Sequence, residues 1–137
     1  MRRLGVLSAA VLLGGLGAVL LGAERPPADY QKAMQNLGAA AQNLDKAIAA
    51  EKYDDVAKFA SSSEAAFVVA EAYWKDRAPD ALAFATSGEK FAADLGAMAT
   101  LKSKEGVQYA TKQMTSVCSE CHDAHRQRQD DGTFQIK

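Results

Sequence analysis

Cysteine is scarce: two occur in 137 residues, and both fall in one short run near the C-terminus. No thiol is left over for the disulfide framework that staples many small exported folds. Proline occurs three times and aromatic residues make up 7% of the chain. No excess of one charge exists either. The formal net charge is −1, so nothing points to nucleic acid or a strongly anionic partner. A Ser-His-Asp set, a phosphate-binding loop and a carboxylate pair are all missing, so no enzymatic reading competes for the chain. What is plentiful is alanine, within a hydrophobic content of 48%. Ala-rich sequence with little proline and scattered Leu, Lys, Glu and Gln favours helix, and the length suffices for one domain with its own core.

The chain opens with a targeting pattern. Arg2 and Arg3 precede an uncharged apolar run from Leu4 to Ala23. Its 20 residues exceed the usual secretory h-region and match the length of a membrane helix. Cleavage after Ala23 would put Leu21 at the −3 position, a poor fit to the small-x-small rule. Residues 1–23 are therefore expected to be a signal peptide or a retained N-terminal anchor helix, and either directs the rest to the extracytoplasmic (in bacteria, periplasmic) side. Removal of Arg2 and Arg3 leaves 14 basic against 17 acidic residues, net −3. Glu24-Arg-Pro-Pro27 follows as a stiff linker.

Residues 28–137 carry a helical rhythm. A first helix is expected from Ala28 to Ala50, with a stripe of Tyr30, Met34, Leu37, Ala41, Leu44 and Ile48 at spacings of 4 and 3. Gly38 interrupts it, either tolerated or leaving room for something flat. A second should begin near Asp54, with Asp54-Asp55 as cap and dipole partner, and end between Lys75 and Ala78. Its stripe is Val56, Ala60, Ser63, Phe67, Ala70 and Trp74. Pro79 suits the first turn of a third helix, which carries Phe84, Gly88, Phe91, Leu95 and Met98 and fades around Leu101-Lys102. Ser103 with Glu105 can open a fourth, lined by Val107, Ala110, Met114, Val117 and Cys121 and running to about Gln129. Asp131-Gly132 signals a turn, and the tail to Lys137 either packs back or frays. Four such segments with short connections predict an all-α, antiparallel four-helix bundle.

The run Cys118-Ser-Glu-Cys-His122 is the attachment signature of c-type haem. Two thiols three residues apart share one helix face, and the imidazole four residues after the first joins them. Three other readings compete. A thioredoxin-like redox pair expects a βα setting, and no strand pattern surrounds these cysteines. Structural zinc would need Cys118, Cys121, His122 and His125, crowded into eight residues with no second knuckle. A disulfide suits three-residue spacing along a helix poorly. The expected cofactor is one covalent haem c.

From these residues the chain resembles a class II cytochrome c, the group of cytochrome c′ and its low-spin relatives. The similarity covers roughly residues 28–137, with the haem signature on the last helix of a bundle. Cys118-Ser-Glu-Cys-His-Asp-Ala-His-Arg126 is similar to the family's C-x-x-C-H-x-x-aromatic-Arg pattern, with His125 where an aromatic residue is common. The resemblance implies thioether bonds at Cys118 and Cys121, His122 as proximal iron ligand, and Arg126 beside the imidazole or a propionate. Met34-Gln-Asn-Leu-Gly38 matches the Met-x-x-x-Gly of low-spin members, which implies Met34 as the second axial ligand and Gly38 as room for the porphyrin. By itself Met34 reads as a core residue. His125 is expected exposed or bonded to a propionate, while Trp74, Phe67, Phe91 and Tyr109 are core candidates able to line a haem crevice. The implied function is single-electron transfer with unidentified redox partner proteins, not enzymatic catalysis. A five-coordinate NO- or CO-binding protein with an open distal face is the alternative, and a haem-free dithiol bundle a third. A homodimer through the first two helices is left open.

Overall fold

The computed structural model describes residues 24–137; the expected targeting segment, residues 1–23, lies outside them. Four helices follow in order: α1 (Ala28–Ala49), α2 (Tyr53–Trp74), α3 (Pro79–Thr100) and α4 (Lys104–His125). Each has 22 residues, hence a length of about 33 Å at 1.5 Å per residue. Equal rods joined by turns of three or four residues stack flush, up-down-up-down, as the periodicity predicted. No helix among the described residues is long and apolar enough to cross a membrane.

Local chemistry sets most of the ends. Ser103 Oγ accepts a hydrogen bond from the Gly106 amide at 3.2 Å, capping α4. Pro79 opens α3 in its first turn, where its missing N–H costs nothing. Asp54 and Asp55 fall inside the first turn of α2 and meet the positive end of its dipole. They do not cap it, because the helix starts a residue earlier and Lys52 holds the cap position. Helices α1 and α3 close with matching Schellman turns. Lys52 N–H donates to Ala47 O and Glu51 N–H to Ile48 O; Ser103 N–H donates to Met98 O and Lys102 N–H to Ala99 O. The pivots are Glu51 (φ 54°) and Lys102 (φ 52°), side-chain-bearing residues in the left-handed region that favours glycine.

The core is built largely of small residues. Leu44, Val56, Leu95 and Val107 lie at its fully buried centre, with alanines from all four helices around them. Helices α2 and α3 pack most extensively, and the α2 stripe is buried as expected. Gly88 is what lets them approach: a methyl at that position would land inside the Phe67 ring. The α1 stripe is turned from its expected setting. Ala33, Ala40 and Ala47 are buried with Tyr30, Leu37 and Leu44, whereas Ala41 is exposed and Met34 and Ile48 are half-buried. Small alanines bring α1 close to α2, and the bulkier members of the row are left at the edge facing α4. On α3, likewise, Ala81, Ala85, Ala92 and Ala99 take the interior with Gly88 and Leu95, and Phe84, Phe91 and Met98 stay half-buried.

α4 stops at His125, four residues short of the expected end. Arg126 is extended (φ −117°, ψ 130°) and starts strand β1, Arg126–Arg128, which pairs antiparallel with β2, Phe134–Ile136. The connecting turn uses Gly132 at φ +82° and Asp131, whose carboxylate accepts from the Thr133 amide and hydroxyl. The tail thus packs back, and Ile136 rests on the cluster of Tyr30, Trp74, Ala81 and Ala85.

Candidate functional site

Along α4 the cover of the inward stripe thins toward its C-terminus. Val107, Ala110 and Met114 are buried, but Val117 and Cys121 are half-buried. Cys121 continues the core row seven residues after Met114. Cys118 and His122 follow Thr111 and Thr115 at the same interval, so they belong to the face that borders α1. That face is open. Of the helix neighbours, α1 and α4 share the least contact. Between them runs a groove of about 710 Å³, with Asp45 and Ile48 on one wall and Thr111, Thr115 and Ser119 on the other. Cys118 packs against the core cluster, and its neighbour Ser119 lines the groove.

Cys118 and Cys121 are both free and half-buried. Burial raises the Cys118 thiol. The Cys121 thiol is pushed up to about 11, mostly by burial and further by the neighbouring Cys118 and Asp80. Protonated, sheltered thiols are poor at disulfide exchange, which needs the thiolate. His122 is half-buried too, and its pKa is lowered by burial and by Arg126, against an opposing pull from Asp123. A neutral imidazole with a free lone pair is the form that ligates a metal.

Met34 sits where the two core clusters meet, one of them also packed by Cys118 and the other built on Tyr30 and Trp74. It lies two heptads before Ile48, which lines the groove, and so belongs to the α1 edge turned toward α4. One turn further on, a methyl at Gly38 would meet nothing within 4 Å. Met34 and Cys118 thus pack against the same core cluster. Met114 and Met98 belong to the core, as expected.

His125 departs from its expected role. Its side chain is 14% exposed, its Nε2 lies 2.9 Å from Asp80 Oδ2, and its ring stands 5.0 Å from that of Trp74. Asp80, in the first turn of α3, is held below the usual carboxylate range by that bond. His125 is therefore engaged with Asp80, which itself lies close enough to Cys121 to raise its thiol, and it does not join Cys118, Cys121 and His122 in a four-ligand zinc set. Among the described residues no group of three or more His, Cys, Asp or Glu is placed to hold a metal ion. Arg126 places its guanidinium 4.2 Å over the Phe134 ring while remaining close enough to depress His122. Of the aromatic residues proposed for a crevice, Trp74 stands at this end of the bundle, Phe67 and Phe91 belong to the main cluster, and Tyr109 is 64% exposed.

Two groups escaped the sequence reading. Tyr30, taken for a stripe residue, accepts a hydrogen bond from Trp74 Nε1 at 3.1 Å. Burial pushes its phenol up to about 12, and it lies close enough to Cys121 to interact electrostatically. Asp80 sits 45 residues from His125, and no local pattern links them.

The donor set fits a covalently held group: two free thiols and a half-buried imidazole on one helix, beginning one residue from Ser119 in the groove wall, while Gly38 on α1 faces open space. The buried Thr111 hydroxyl in the groove wall has no hydrogen-bond partner, so a polar substituent there would be satisfied. No family model matches the chain, nor does any curated protein, and no solved structure matches its fold.

Proposed function

We propose that the chain is an extracytoplasmic c-type cytochrome carrying single electrons through one haem. Cys118 and Cys121 would hold it as thioethers, and His122 and Met34 would ligate its iron. The observation that carries the reading is the Cys118–His122 run itself, placed on α4 where its packing against α1 opens. Bound haem supplies a one-electron iron couple, whose potential a thioether ligand raises relative to two nitrogens. The protein's part is positioning. His122 enters neutral and half-buried, with no proton to lose before binding. Met34 would offer its sulfur from a different helix packed into the same core, which would restrain any change in the separation of the two ligands. Tyr30 and Trp74, locked by their mutual bond, exclude water from the end of the bundle beside Cys121. Arg126 contributes positive charge near the imidazole, which disfavours the more oxidised iron.

Haem staining after denaturing electrophoresis tests attachment. Covalent stain is expected, and its absence from protein matured in a host competent for haem attachment would refute the assignment. The haem-free dithiol reading makes the opposite prediction, and the raised thiol pKa values weigh against it.

A five-coordinate NO- or CO-binding protein is the second reading. Open space at Gly38 and the half-buried setting of Met34 favour it. The visible spectrum separates the two. Low-spin bands and a sulfur-to-iron transition at the red edge of the oxidised spectrum mark Met34 ligation; high-spin spectra in both states mark the open face. We further read the apolar run of residues 4–23 as a retained anchor, since its length matches a membrane helix and its end is a poor cleavage site.

A further inference from the structure

We propose that the end of the bundle carrying Cys118–His122 lies directly against the lipid surface that residues 4–23 enter. The inference rests on the anchor reading and adds to it an orientation. Glu24 follows the apolar run with no residue between, and it is not a free spacer. Its amide donates to Ile136 O at 3.1 Å, and the Ile136 amide donates to Glu24 O at 2.8 Å. Its carboxylate meets Arg77 at 3.2 Å. Two residues on, Pro26 O accepts from Gln31 Nε2 at 2.6 Å, and Pro27 opens α1. The entering chain is tied to β2, to the turn after α2 and to the start of α1. Left free, residues 24–27 would span up to about 14 Å and let the bundle tumble. Tied down, they transmit the direction of the anchor to the bundle.

The tie is at the haem-signature end. Glu24 bridges to Ile136, which pairs in turn with Arg126. Two strand spacings, about 10 Å, separate Glu24 from Arg126, the residue that follows α4. His122 lies four residues earlier, about 6 Å along the helix axis. The Glu51 and Lys102 turns stand at the far end, about 33 Å away by helix length. Exposed groups at the near end suit a headgroup layer: Arg25, Arg128, and Arg126 stacked on the 42% exposed Phe134. Asp130 and Asp131 share the hairpin tip, so the tether sets the contact and net charge does not. Electrons would then be exchanged with a partner embedded in, or docked on, the same membrane.

The test uses the full-length, haem-loaded chain in vesicles of phosphatidylcholine and phosphatidylglycerol. A spin label on a keto-bearing residue at position 130 or at position 101 avoids cysteine chemistry. Collision with a headgroup-bound nickel chelate is the readout. We expect at least fivefold greater collision at 130 than at 101. Inserting twelve Gly/Ser residues between Ala23 and Glu24 should abolish that difference. Membrane-bound protein with equal collision at both sites, or more at 101, overturns the orientation while leaving the anchor intact. A chain recovered from the soluble fraction with a new N-terminus near Glu24 overturns both.

Discussion

Replacing Gly88 with Ala tests the packing that shapes the bundle. The same change at Gly38 is its natural control. In a helix interior, Gly→Ala is worth about 1 kcal/mol through backbone entropy and shielding. At Gly38 a methyl meets nothing within 4 Å, so in the haem-free chain, where both variants are compared, that gain is kept. At Gly88 the methyl falls inside the Phe67 ring, on the most closely packed helix pair. Phe67 is 4% exposed and cannot swing into solvent. Ring or helix must shift, and overpacking of this kind costs about 3 kcal/mol at the upper end of its usual range. Gly88→Ala should therefore lose about 2 kcal/mol net where Gly38→Ala gains about 1, a separation of about 3 kcal/mol. For a domain of this size that is a gap of about 12 °C in Tm or more, measured by far-ultraviolet circular dichroism. Phe67→Leu added to Gly88→Ala should recover part of the loss. A Gly88→Ala variant as stable as the parent would refute the placement of Phe67 against α3.

Lys102→Gly should stabilise by about 1 kcal/mol in chemical denaturation, because φ 52° strains a side-chain-bearing residue; unchanged stability would deny the left-handed turn. Asp80 sits below the ordinary Asp pKa of about 3.9 because His125 hydrogen-bonds its charged form. Its contribution is fully present above that value and is lost as pH falls through the lower folded pKa. Asp80→Asn should remove this part of the acid-unfolding curve, and identical curves for parent and variant would sink the pairing. Met34→Ala should abolish the sulfur-to-iron band and allow CO to bind the reduced protein; an unaltered spectrum would exclude Met34 as ligand.

Much of the fold was legible because its signals are local. Pro79 and Ser103 mark helix starts by backbone chemistry that needs no distant partner. The Val56–Trp74 row was read correctly because its large residues, Val56, Phe67 and Trp74, all recur at helical spacing on one face. α1 was harder. With alanine at positions 33, 39, 40, 41 and 47, two neighbouring rows are almost equally apolar, and a one-residue choice rotates the helix by about 100°. Close packing against α2 chose the alanine row. The early stop of α4 was hidden for a related reason: residues 126–129 have no helix breaker, and they leave the helix because Phe134–Ile136 and Glu24 supply strand partners.

The candidate site divides along the same line. The spacing of Cys118, Cys121 and His122 is a property of the sequence, since any helix puts three such residues on one side. The chemistry they suggest, and the apolar run before Glu24 with the export reading it carries, needed no coordinates. Tertiary structure alone decided what surrounds them. It opened the groove between α1 and α4 and brought Met34 beside the cluster that Cys118 joins. It also engaged His125 with Asp80 and Arg126 with Phe134. These partners lie far apart along the chain and meet because each helix has one rotation about its axis that closes the core.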